Sequence, residues 1–120
     1  FKGTFWPGPL IGVKCDSIIK AASTAGHEIG LHAWDHHAWQ THLDTMNNAA
    51  IHKSIKRGVD TLRKILGYTP SCSAAPAWKC NNLALKEKNT FPYIYNMSSK
   101  SNHSCYPLIE GKELSQPQIR

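Results

Sequence analysis

GHEIGLHAWDHHAWQ, residues 26–40, gathers four of the seven histidines, two of the four tryptophans and two acids into fifteen positions. Its first part alternates. Ile29 and Leu31 point to one side of an extended strand, while Glu28, Gly30 and His32 point to the other. His32 therefore falls at a strand end, where α/β folds place their chemistry, because the sheet fixes that end while the loops after it vary. His32 and His36 lie four residues apart, so on a helical turn or in a tight loop their rings converge. Two imidazoles supply half of a tetrahedral zinc shell and leave room for a third protein ligand and a water. With 7 histidines in 120 residues, such a pair also arises by chance, so the spacing alone is a weak signal.

Working outward, a helix beginning at Asp16 or Ser17 precedes the strand His27–Leu31, with Ile18, Ile19 and Ala22 as its apolar stripe and Gly26 as its stop. After the motif, Ile51, Ile55, Val59, Leu62 and Leu66 recur at helical spacing and predict a helix from Asn48 to Leu66, ended by Gly67. Ser71–Ala75 reads as a second strand that Pro76 closes, followed by a helix near Leu83–Lys88 and a strand at Tyr93–Tyr95. Helices alternating with strands predict a parallel α/β sheet, since parallel neighbours need a crossover helix. Residues 1–15 are rich in glycine, proline and aromatics, and Pro7-Gly8-Pro9 argues for a loop there. The tail from Met97 to Arg120 is polar and proline-interrupted, so a loop-rich or disordered segment is expected. Residues 1–120 read as one domain, without repeats or low-complexity segments.

A formal charge of +6 favours anionic partners in general. The basic residues are scattered, and the one cluster (Lys53, Lys56, Arg57, Arg63 and Lys64) reads as a solvated helix face, so no nucleic-acid partner is expected. Cys15, Cys72, Cys80 and Cys105 form no C-x-x-C pair and fit buried free thiols better than a zinc ribbon or redox motif. No apolar run approaches the roughly 18 residues of a membrane span, and no charged-then-apolar leader is visible.

AGHEIGLHAWDHHAWQ resembles the second motif of the polysaccharide deacetylase, or NodB-homology, family. GTFWPG at residues 3–8 and CSAAPAW at residues 72–78 fall in the order shown by one branch of that family. That branch removes a formyl group from undecaprenyl-phosphate-linked 4-formamido-arabinose in bacterial lipid A modification, which gives polymyxin resistance. The resemblance implies a segment of a distorted (β/α) barrel, with this chain as a middle piece. It makes His32 and His36 two of three protein ligands to a catalytic divalent metal, with zinc favoured and cobalt, manganese or nickel as alternatives. The family's third ligand and its general base are aspartates of an amino-terminal motif that this sequence does not contain. The family's general acid is a histidine of a carboxy-terminal motif beyond Arg120. No catalytic acid or base is therefore assigned here, and the isolated chain is expected to be inactive. Asp35 next to His36 is a substitute base only on unproven geometry; it fits equally well as a helix cap or as a group orienting a histidine.

The family's third motif has an arginine where this chain has Ala74, a departure that the branch shares. The branch's own arginine follows the tryptophan, where Lys79 stands, keeping the charge without bidentate hydrogen bonding to a phosphate. Trp34, Trp39 and Trp78 suit either core packing or a sugar-binding cleft, because indoles stack on the apolar faces of pyranose rings. Trp34, Trp78 and Lys79 are the candidate substrate-binding residues. The resemblance implies a lipid-linked amino-sugar substrate and work at an anionic inner-membrane surface, on the cytoplasmic face. A catalytically incomplete metal-binding or interaction module is the alternative function. Sequence leaves the oligomeric state open.

Overall fold

Four short parallel strands form the frame of the molecule. The computed structural model describes residues 3–5, 9–100 and 102–119. Strand β1 (Thr4–Phe5) pairs with β2 (Glu28–Ile29), and β3 (Cys72–Ala74) pairs with β4 (Tyr95–Met97), both in parallel. A parallel bridge between Leu31 and Ser73 joins the two pairs, with Leu31 N donating to Cys72 O at 3.0 Å and Ala74 N to Leu31 O at 2.9 Å. The sheet order is therefore β1-β2-β3-β4, and every crossover between neighbours carries helix, as parallel pairing requires. The crossover helices are α1 (Pro9–Lys14), α2 (Asp16–Thr24), α3 (His36–His42), α4 (Asn48–Leu66) and α5 (Asn82–Lys88).

Helix α4 is the main buttress of this sheet. Ile51, Ile55, Val59 and Leu62 are each at most 5% exposed and pack with Ile29, Leu31, Trp39 and Leu43. The helix has the ends that its sequence predicts: Asn47 Oδ1 accepts from Ala50 N at 2.9 Å, and Gly67 stops it with φ of 80°. Gly58 lets α4 approach the sheet closely, because a Cβ there would lie 2.5 Å from Leu31 Cδ1.

Several boundaries differ from those expected. The loop expected over residues 1–15 holds α1, since Pro9 is its first residue, where a missing N–H does no harm and the fixed φ suits a helix. Trp6, Pro7 and Gly8 of the GTFWPG stretch lie outside the described residues. The strand expected at Tyr93–Tyr95 begins at Tyr95 instead, because Tyr93 N is turned towards Phe91 O at 2.8 Å. All four cysteines are free thiols, but only Cys72 is fully buried, and that burial pushes its pKa up to about 12.

The tail is loop-rich but tied down. It carries a hairpin, β5 (Leu108–Ile109) with β6 (Lys112–Glu113), and its end runs beside β4: Asn96 N donates to Pro117 O, and Ile119 N to Asn96 O, both at 2.9 Å. Composition there suggested exposure, yet Gln116 and Gln118 are only 6% and 4% exposed. Their amides meet other buried polar groups: Asn96 Nδ2 donates to Gln116 Oε1 at 2.9 Å, and Ser98 N to Gln118 Oε1 at 3.2 Å.

At the opposite end of the strands from His32, Glu28 draws all four together. Its carboxylate accepts hydrogen bonds from Thr4 Oγ1 at 3.1 Å, from Ser71 Oγ at 3.2 Å and from the Tyr95 hydroxyl. Burial works to raise its pKa, but the Tyr95, Thr4 and Ser71 hydroxyls outweigh that and hold it below the ordinary value. A depressed folded-state pKa means stability that is present above the unfolded value of about 4.5 and is lost as pH falls through the folded value. Glu28→Gln should lower stability by roughly 1–3 kcal/mol at pH 7 and flatten that acid limb, as read from denaturant unfolding between pH 7 and pH 3. An unchanged acid limb would show that Glu28 does not tie the strand starts.

Candidate metal and substrate site

His32 directly follows the Leu31 bridge and is partly buried at the carboxyl end of the sheet. Its Nδ1 lies 3.2 Å from the carbonyl oxygen of Ala74, the last residue of β3. A carbonyl only accepts, so Nδ1 carries the proton and Nε2 keeps its lone pair. Burial depresses the ring's pKa, the charges of His36 and Lys88 act the same way, and the Ala74 carbonyl opposes them with the net shift downward. A neutral imidazole with one free nitrogen is the form a metal takes.

The backbone then turns sharply. Ala33 is buried with φ of 63°, a left-handed conformation that side chains other than glycine rarely adopt. Asp35 caps the helix that follows, its Oδ1 accepting from Ala38 N at 2.8 Å. Of the roles open to Asp35, the structure gives it the cap. The turn brings His36, the exposed first residue of α3, back beside His32, with ring centroids 5.2 Å apart and planes tilted by 54°. Among the described residues no group of three or more His, Cys, Asp or Glu converges. The pair thus fits half of a metal shell: two imidazoles at one place, one with its tautomer fixed.

The tryptophans divide by role. Trp78 is 57% exposed and, with His32, Ala74, Ala75, Ala77 and Met97, lines an open cleft of about 310 Å³. Trp39 is 2% exposed and belongs to the core, its Nε1 donating to Lys79 O at 2.8 Å. Trp34 is partly buried and is not among the residues lining that cleft; the Arg57 guanidinium lies 3.9 Å from its ring centroid, covering one face. Lys79 Nζ pairs with Asp44 Oδ2 at 2.7 Å on the half-exposed surface. Of the expected site residues, the fold brings His36 beside His32 and puts Trp78 in the cleft that His32 lines, and it gives Trp34 and Lys79 partners within the chain.

Sequence reasoning passed over Lys88. It is 4% exposed, its Nζ donates to Ser98 Oγ at 2.8 Å, and burial pushes its pKa down. The helical signal was there: Lys88 lies four residues after fully buried Ala84, on the same face of α5. It shares the lining of a small recess of about 10 Å³ with Ser73, Ala74 and Tyr93, and the buried Tyr93 hydroxyl has no hydrogen-bond partner among the described residues. That volume is about what one water occupies.

The sequence profile of the polysaccharide deacetylase family matches residues 1–95. The chain belongs to the polysaccharide deacetylase family. Over 108 residues it is 44% identical to a Shewanella sediminis protein named "Probable 4-deoxy-4-formamido-L-arabinose-phosphoundecaprenol deformylase ArnD", a match covering 90% of this chain and 35% of that protein. The chain thus spans about a third of that relative's length. A solved Mycobacterium smegmatis structure assigned as a polysaccharide deacetylase superposes with a TM-score of 0.82 at 24% identity, over 98% of this chain and 39% of that one. A family 4 acetyl xylan esterase from Clostridium thermocellum, solved with a cobalt ion, superposes with a TM-score of 0.63 at 25% identity, over 72% of this chain and 40% of that one. The parallel strands and crossover helices of this chain are accordingly a segment of the NodB-type distorted (β/α) barrel.

If the histidine pair is a metal half-site, cobalt(II) titrated into the chain should give a stoichiometric visible absorption band that His32→Ala and His36→Ala each abolish. Asp35→Ala should keep the band while costing about 1 kcal/mol of stability, the usual worth of an N-cap. A band that survives both histidine variants would place the ion elsewhere.

Proposed function

We propose that this segment carries the metal-binding motif of an amide hydrolase of the deacetylase family. Its substrate in this reading is the formyl group of undecaprenyl-phosphate-linked 4-formamido-arabinose, in the lipid A modification that confers polymyxin resistance. The observation that carries the reading is the 44% identity, over 108 residues, to a protein named for that deformylation. The cobalt ion of the acetyl xylan esterase relative supports a divalent metal, with zinc favoured here.

In this reading His32 Nε2 and the His36 ring hold the ion, and the Ala74 carbonyl keeps the His32 proton on the far nitrogen. Held there, an ion would polarise the amide carbonyl and make a bound water more acidic. Trp78 offers an exposed indole face beside His32, suited to the apolar face of a pyranose. Lys79 can take a substrate phosphate only by leaving Asp44, and Trp34 can stack on a sugar with the face that Arg57 leaves uncovered. Neither a base nor an acid is assigned to this chain; in the family they come from motifs that flank this segment. The +6 charge suits work at an anionic membrane surface, here the cytoplasmic face of the inner membrane.

The test is a chimaera in which residues 1–120 replace the matching segment of the Shewanella relative, assayed for formate release from the lipid-linked formamido sugar. Activity is expected from the chimaera and not from the isolated chain. His32→Ala or His36→Ala in the chimaera should lower it at least about a hundredfold. A chimaera that is folded, binds metal and releases no formate would instead favour the catalytically incomplete binding module.

A further inference from the structure

The wall of the cleft beside His32 is a strained turn. Ala77 and Trp78 both have positive φ, 50° and 54°, in the segment that follows β3. Neither is glycine, so each is held in a conformation that costs of order 1–3 kcal/mol and persists only where the surroundings over-determine it. Local bonds close part of the turn: Trp78 N donates to Ala75 O at 3.0 Å, and Lys79 N to Pro76 O at 2.9 Å. The Trp78 side chain itself is 57% exposed, so packing on the indole does not hold it.

The remaining hold comes from the segment that starts with His36. Trp39, one helical turn after His36 in α3, is 2% exposed, and its Nε1 donates to Lys79 O, the carbonyl that immediately follows the strained pair. Lys79 is gripped a second time through its ammonium by Asp44, which lies just beyond α3. The two grips differ in strength. Asp44 is 68% exposed, and ion pairs at such sites are worth little, whereas the indole bond is half-buried on a tryptophan only 2% exposed, and its loss would leave a donor and an acceptor there without each other.

We propose that Trp39 is a positioning residue: its indole N–H holds the Lys79 carbonyl and so fixes Trp78 as the cleft wall beside His32. The helix that presents His36 and the turn that presents Trp78 thereby move as one unit. In the substrate reading above, on which only this last consequence rests, the same bond sets where the sugar lies relative to the histidine pair.

The direct test needs no substrate. The 120-residue chain labelled with 5-fluorotryptophan gives one fluorine signal per tryptophan, assigned by replacing each in turn. Trp39→Phe keeps a buried ring and removes the N–H, and it should shift or split the Trp78 signal while leaving Trp34 in place. Asp44→Asn should leave the Trp78 signal as in the parent. Should Trp39→Phe fail to fold, replacing Trp39 with benzothienylalanine, which has the same shape and no N–H, asks the same question. A Trp78 signal unmoved by loss of the N–H, or one that moves with Asp44→Asn instead, overturns the proposal. So does a uniform shift of Trp34 and Trp78 together, which would mean general loosening. In the active chimaera, Trp39→Phe should raise KM roughly tenfold with kcat largely kept, a split expected when ground-state and transition-state binding are lost together.

Discussion

The hydrogen bond from His32 Nδ1 to the Ala74 carbonyl sets the chemistry of this segment. It links the end of β2 to the end of β3, so the position of the imidazole is a property of the sheet rather than of a loop. It also decides which ring nitrogen carries the proton, and leaves Nε2 of the neutral ring unprotonated. A carbonyl can do this only if it stays put. Ala74 does, because its N–H is bonded to Leu31 O at 2.9 Å and β3 is paired on both sides.

Packing behind the sheet holds this geometry. Leu31 stands one residue before His32 and rests against Gly58 of α4, in a contact that admits no Cβ. The left-handed Ala33 turns the chain towards α3, and Asp35 starts that helix so that His36 comes first. Trp39 then ties the same helix to the turn after β3. Each step is a short-range device, and together they bring two histidines and one exposed tryptophan to the carboxyl ends of two adjacent strands. The Glu28 cluster does the corresponding work at the other ends, where it binds strand to strand without facing the cleft.

Much of this was legible in the sequence. Helix α4 was readable because its apolar spacing and its Gly67 stop agree. The alternation of Ile29 and Leu31 with His32 put the histidine at a strand end, where it is found. Legibility failed where pattern and composition mislead. Pro9 reads as a breaker but starts a helix; Gln116 and Gln118 read as solvated but pair with buried amides; Lys88 reads as surface but lies beside Trp39. Arg57 over Trp34 joins residues 23 positions apart in sequence, and the Trp39–Lys79 bond joins residues 40 apart, and no local periodicity reports either contact.

The fold presents His32 as a neutral imidazole protonated at Nδ1 with Nε2 free. A long-range proton–nitrogen correlation of the histidine rings in the 120-residue chain, recorded at pH 7 and assigned with His32→Gln, reads this directly. The expected result is a His32 ring with a protonated Nδ1 and an unprotonated Nε2, the Nε2 signal alone moving strongly when zinc is added. A ring protonated at Nε2, or an imidazolium at that pH, would contradict it, because neither form can donate from Nδ1 to Ala74 and still keep Nε2 free for a metal.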